Sequence, residues 1–169
     1  VEYQVDCLIF ASGFEVGTDQ ARRSGFETTG RDGVTLTDAW AEGMVSLHGM
    51  HVRGFPNLFI TGLAQGANLV SNITHNLTEA GSTAAAVIGH ALDTGAEQVE
   101  VTEAAQDAWM ELLDGNPRSF MGNAECTPGY YNNEGGPIGR TQRRGMSGYP
   151  DGPVAFFDHI DRWRRSGEF

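Results

Sequence analysis

Cysteine is scarce in this chain: Cys7 and Cys126 are the only two, and they lie far apart. Two are too few for a disulfide framework, so a reducing, cytoplasmic setting is expected. Cys7 sits in an apolar run and reads as a small buried hydrophobe. No stretch approaches the ~18 consecutive apolar residues of a membrane span. Basic side chains are also few: 11 Lys and Arg face 22 Asp and Glu, for a net charge of −11. That balance argues against a nucleic-acid surface, which needs basic patches, and otherwise serves solubility. Self-contained catalytic signatures are missing as well. There is no G-x-G-x-x-G, Walker loop, G-x-S-x-G elbow or C-x-x-C. Neither an initiator Met nor a signal peptide opens the sequence, and Val1 falls within an expected strand, as in a piece cut from a longer chain.

What is present is globular in composition: 40% hydrophobic, 20% charged and 9% aromatic over 169 residues, enough for one core. Val1 to Asp6 alternates, and Cys7-Leu8-Ile9-Phe10 is solidly apolar before the turn Ala11-Ser12-Gly13-Phe14. A short apolar run ended by glycine fits a strand buried on both faces of a parallel sheet. A second such run, Asn57-Leu58-Phe59-Ile60-Thr61, enters through Phe55-Pro56 and stops at Gly62. The two are expected to be parallel neighbours.

Beyond the loop from Gly62 to Asn68, a long helix is expected. Leu69, Ile73, Leu77, Ala80, Ala84, Ile88 and Ala91 recur with a 3.6-residue period and form its inner stripe. Val99-Glu100-Val101 reads as a short strand, and Thr102 as the cap of a helix to about Leu113, with Ala105, Trp109 and Leu112 inward. From Asp114 to Gly152 the pattern dissolves into a long loop, a length that is often functional. Val154 to Phe157 suits a strand, and Asp158 opens a final helix carrying Asp158–Arg162 and Asp161–Arg165 pairs.

Two histidines, His48 and His51, form an H-x-x-H. Glycines at 43, 49 and 54 disfavour a helix there, and no nearby carboxylate or cysteine cluster completes a ligand set, so no metal site is expected. The sequons at Asn72 and Asn76 lie on the small-residue helix and read as coincidence. The two strand–glycine units remain open to two readings. Either their glycines only end buried strands, or they edge a ligand site, since ligands of open α/β sheets bind beyond the strands' carboxyl ends. A helix N-terminus there suits an anion or an electron-rich carbonyl.

Motifs in order weigh toward the second reading. Asp6-Cys7-Leu8-Ile9-Phe10-Ala11-Ser12-Gly13-Phe14 resembles the segment of flavin-containing and Baeyer–Villiger monooxygenases that returns the chain from the NADPH domain to the FAD domain. Ser12 replaces the usual Thr but keeps its hydroxyl. Gly33 to Trp40, Phe55-Pro56-Asn57-Leu58-Phe59 to Gly62, Ser71-Asn72, Glu103 to Trp109 and the ending from Ala155 to Gly167 follow in the family's order. The resemblance covers essentially the whole chain. It implies an α/β fold, the C-terminal portion of a two-dinucleotide-binding-domain flavoprotein, with parallel strands, a long packed helix and an irregular C-terminal extension. Residues 1–95 would be the returning part of the FAD-binding domain, with the junction strand at 5–14, and 96–169 the extension.

It also implies the activity of the complete enzyme. An FAD- and NADPH-dependent monooxygenase inserts one oxygen atom of O2 into a ketone to give an ester or lactone. Cofactor contacts would fall to Ala11, Ser12, Gly13, Gly62, Asn72, Ile73 and Tyr130, and a substrate pocket to Leu69, Val70 and Ile73. No catalytic residue is expected in this stretch, and the segment alone would be inactive. One departure concerns NADPH: Gly129 stands where the family often has a Trp, although the neighbouring Tyr130 is kept. The family's two glycine fingerprints are not in this sequence. Two alternatives stand beside this reading. One is another two-dinucleotide flavoprotein, an N- or S-oxygenating monooxygenase or a disulfide reductase, though Leu63 takes the position of the reductases' Asp. The other is a non-catalytic binding or dimerisation module.

Overall fold

The computed structural model describes residues 1–11, 21, 24–62, 64–67, 71–115, 127, 144–145 and 147–169. Among the described residues four α-helices have defined bounds: α1 (Leu36–Ala39), α2 (Ile73–Thr94), α3 (Glu103–Asp114) and α4 (Gly152–Ser166). Each of the first three starts on a side chain that accepts a hydrogen bond from an otherwise unmet backbone N–H. Thr35 accepts from Asp38, Asn72 from His75 and Thr102 from Ala105. The 22-residue α2 closes at Gly95 in the left-handed conformation. The fourth helix begins six residues before the expected Asp158. Pro153 sits in its first turn, where the missing N–H costs nothing, so residues 154–157 are helical and not a strand. Asp161–Arg165 forms at 2.8 Å; among the described residues Asp158 and Arg162 make no ion pair.

No strand forms among the described residues; isolated bridges join Thr29 to Thr35 and Leu47 to His51. The expected strand at Leu8–Phe10 is instead an exposed segment, with these three side chains 68–84% exposed, and Cys7 is exposed rather than buried. A parallel strand acquires its burial from neighbours on both edges and both faces. Among the described residues, 1–11 have none. At 58–60 the chain is half-buried and Thr61 is exposed, and Ile60 N–H donates to the Met50 carbonyl at 2.9 Å. Its neighbour at 97–100 is joined by one backbone hydrogen bond, Asn57 N–H to the Val99 carbonyl at 2.9 Å, and by side chains, not by a ladder. Asn57, at φ 60°, receives Val99 N–H on its Oδ1 and donates Nδ2–H to the Glu97 carbonyl. Glu100 accepts from Gly54 N–H at 2.7 Å and pairs with Arg31.

The core has two parts. Leu36, Trp40, Met44, Val52 and Phe55 form one, and Trp109, Met110 and Leu113 the other; the half-buried Val45 packs against both, and Leu47, Tyr149 and Phe156 against the second. On α3 the buried face is Gln106, Trp109, Met110 and Leu113, one residue round from the expected stripe, and Leu112 is 40% exposed. The shift is larger in meaning on α2. Its buried residues are Asn76, Ala80, Thr83 and Val87, whereas Ile73, Leu77 and Ile88 are exposed and Ala84 is half-buried. Thr83 can be buried because its hydroxyl donates to the Glu79 carbonyl one turn back. Helix α4 lies on this face, and Arg164 pairs with Glu79 at 2.6 Å.

Candidate functional site

Of the expected site residues that are described, Gly62, Asn72 and Ile73 lie toward the N-terminal end of α2. Asn72 caps the helix at 3.1 Å from His75 N and is exposed; Ile73 is its first residue and half exposed. Gly62 is exposed and lines a cavity of about 30 Å³ with His48, Gly66, Asn76, Thr83 and Phe156. That is space for about one water molecule. Ala11 is exposed at the end of the 1–11 segment. Ser12, Gly13, Leu69, Val70 and Tyr130 lie outside the described residues.

The turn at 64–67 ties this end of α2 to the core. Gln65 adopts φ 53°, a left-handed conformation rare outside glycine, and its side chain is fully buried. Ser46 Oγ–H donates to Gln65 Oε1, and Gln65 Nε2–H donates to the Met44 carbonyl at 2.9 Å. Ser46 in turn accepts from Gly49 N–H at 3.0 Å. Gly49 is the residue that lets these segments meet, since a Cβ there would stand 2.0 Å from the Ala64 carbonyl oxygen.

Beside the cavity lies an aromatic and imidazole cluster. His48 Nε2 and His159 Nε2 are 3.3 Å apart, and His48 meets the rings of Trp109 and Trp163 edge-on, each at 4.8 Å. Burial, reinforced by the like charges of His159 and His51, pushes His48 down to about 3. Burial also takes His51 down to about 4, and lowers His159 with help from Arg162. All three are neutral at pH 7. His48 Nδ1, His51 Nε2 and Trp109 Nε1 are buried without a partner. Among the described residues no three His, Cys, Asp or Glu side chains form a set that could hold a metal ion. Neither Gln65 nor the His48–His159 contact was singled out by sequence. A left-handed Gln carries no local signature, and His159 is 111 residues from His48.

An exposed helix N-terminus beside a glycine turn, braced on a packed core, is the arrangement α/β nucleotide-binding proteins present to a ligand. The solved structures that resemble the chain are of this class. A polycyclic ketone monooxygenase from Thermothelomyces thermophila superposes at a TM-score of 0.71 with 31% identity, over 88% of this chain and 24% of that one. The closed form of cyclohexanone monooxygenase gives a TM-score of 0.73 over 99% of this chain and 30% of that one; at 21% identity it speaks for the fold alone. The chain's fold is therefore that of an α/β flavoprotein segment. In sequence it is 44% identical, over 96% of its length, to a Baeyer–Villiger monooxygenase of Streptomyces coelicolor. It is 38% identical over 99% to the FAD-binding monooxygenase hmp7 of Hypomyces subiculosus, and 40% over 99% to pentalenolactone D synthase of Streptomyces exfoliatus. No family profile matches the chain. Along nearly its whole length the chain matches a segment of Baeyer–Villiger-type monooxygenases, spanning 26–29% of the length of these relatives. No described helix is long and apolar enough to cross a membrane.

Proposed function

We propose that the chain works as the C-terminal part of an FAD- and NADPH-dependent monooxygenase that inserts one oxygen atom of O2 into a ketone, in the cytoplasm. The observation that carries this reading is similarity to named Baeyer–Villiger monooxygenases along nearly the whole chain. When bound, FAD activates oxygen and NADPH supplies the reducing electrons. The chain's own residues fit the ring end of the flavin: the N-terminus of α2 at Asn72 and Ile73 is exposed beside Gly62, and a positive dipole end favours negative charge there. Ala11, Ser12 and Gly13 would line the domain junction, Tyr130 would reach NADPH, and Leu69, Val70 and Ile73 would border the ketone. The exposed Leu8–Phe10 segment fits a strand with 58–61 as one parallel neighbour and its other sheet partners in the remainder of the enzyme. On this reading 1–95 belongs to the FAD-binding domain and 96–169 is the extension.

The pyrophosphate of FAD needs a glycine-rich turn that this sequence does not contain. Two measurements test the proposal. The isolated 169-residue chain, titrated with FAD, is expected to leave flavin fluorescence unchanged. The full-length protein is expected to be yellow as purified and to consume NADPH and O2 while converting a ketone to an ester or lactone. A full-length protein without bound flavin would sink the reading.

A further inference from the structure

The turn at 64–67 is held from four sides. Besides the Ser46 and Met44 contacts of its side chain, Gln65 N–H donates to the Gly145 carbonyl at 3.1 Å, and the Gly66 carbonyl accepts from Tyr149 N–H at 3.1 Å. The Phe156 ring covers Gly66 so closely that a Cβ there would stand 2.7 Å from it. A buried amide is otherwise unfavourable in a packed interior, where an apolar side chain of similar size would fill the space. Here every polar atom of the amide's link is used, from Gly49 N–H through the Ser46 hydroxyl and Gln65 to the Met44 carbonyl. The link fixes a left-handed residue between Gly62 and Asn72. Those are the two positions assigned above to the flavin edge.

We propose that Gln65 is a positioning residue for the monooxygenase reaction: its buried amide, gripped by Ser46 and Met44, sets the angle at which Gly62 and the start of α2 meet cofactor and ketone. This role rests on the function proposed above. Gln65 itself touches neither reactant. A small rotation of such a support is read in how well bound reactants are aligned, and misplacement by an ångström can cost about a hundredfold.

The test uses the full-length holoenzyme with Gln65→Leu, which keeps much of the volume and removes both polar ends. Ser46→Ala breaks the same link from the other side and leaves Gln65 in place. In both, the share of consumed NADPH recovered as ester or lactone is expected to fall about tenfold, with the balance appearing as hydrogen peroxide. KM for the ketone should rise, while the rate of flavin reduction by NADPH is unchanged. If Gln65→Leu fails to fold, Ser46→Ala carries the decision. Flavin-loaded variants with wild-type coupling and KM, whatever their melting temperature, would mean that Gln65 only fills space, and would overturn this role alone. A wild type that takes up no flavin overturns the functional reading and this role with it.

Discussion

The first eleven residues and the stretch from Met44 to Ala67 invert the usual relation between composition and burial. The former contains the chain's most apolar run, and Leu8, Ile9 and Phe10 are exposed. The latter is broken by glycines and polar residues, yet Ser46 and Gln65 are both completely buried and His48 nearly so. Hydrophobicity states what a segment gains from burial, and only neighbours can provide it. The Met44–Ala67 stretch has α3 and α4 against it, and its polar groups mostly find partners; among the described residues the first segment has nothing to pack on.

The sharpest way to break the comparison is a pair of truncations in the isolated chain. Leu113→Ala, at a side chain 1% exposed, is expected to cost about 2–5 kcal/mol in urea unfolding. Ile9→Ala should change the same midpoint by less than about 0.5 kcal/mol. Equal losses would mean that the N-terminal segment is packed in solution.

Acid gives the next largest effect. In the folded chain burial lowers the pKa of His48 to about 3 and of His51 to about 4, against 6.5 when unfolded, so the unfolded state binds more protons below 6.5. Stability is therefore complete above pH 6.5 and declines as pH falls toward those folded values. Each histidine contributes a slope of at most about 1.4 kcal/mol per pH unit. Urea midpoints at pH 7.5 and 5 should show the decline, and His48→Phe should flatten it. A midpoint independent of pH across that window would show that these imidazoles are reached by water.

The smallest effect separates two ion pairs on α4. Glu79→Gln removes the partner of Arg164 in a contact where the side chains are 22% and 15% exposed, and should cost about 1 kcal/mol. Asp161→Asn removes an outward pair with the largely exposed Arg165 and should cost less than about 0.5 kcal/mol. Thermal melts of the two variants rank them. The reverse order would place α4 differently on α2.

Local signals in the sequence were reliable where the backbone answers to its own residues. The 3.6-residue period located α2, and Thr102 proved to be the cap of α3. Faces were less legible. The apolar stripe of Ile73, Leu77 and Ile88 was expected inward, but the described core lies against Asn76, Ala80, Thr83 and Val87. Periodicity marks an apolar face without saying which neighbour will cover it. At the candidate site, Gly62 and Asn72 were visible as a turn and a cap. Gln65 was not, because its burial depends on Ser46 and Met44, 19 and 21 residues earlier.

The contact between His48 and His159 couples the tautomers of the two rings. Both are neutral at pH 7, and a single proton occupies the 3.3 Å gap between their Nε2 atoms. Whichever ring donates that proton has a bare Nδ1, and the acceptor ring must carry its own on Nδ1. His48 Nδ1 is buried without a partner. A stranded N–H there is worse tolerated than a stranded lone pair. His48 is thus the donor, and His159, only partly buried, carries its proton on Nδ1. The helix that closes the chain thereby dictates which of two isomeric imidazoles stands in the wall of the cavity beneath α2.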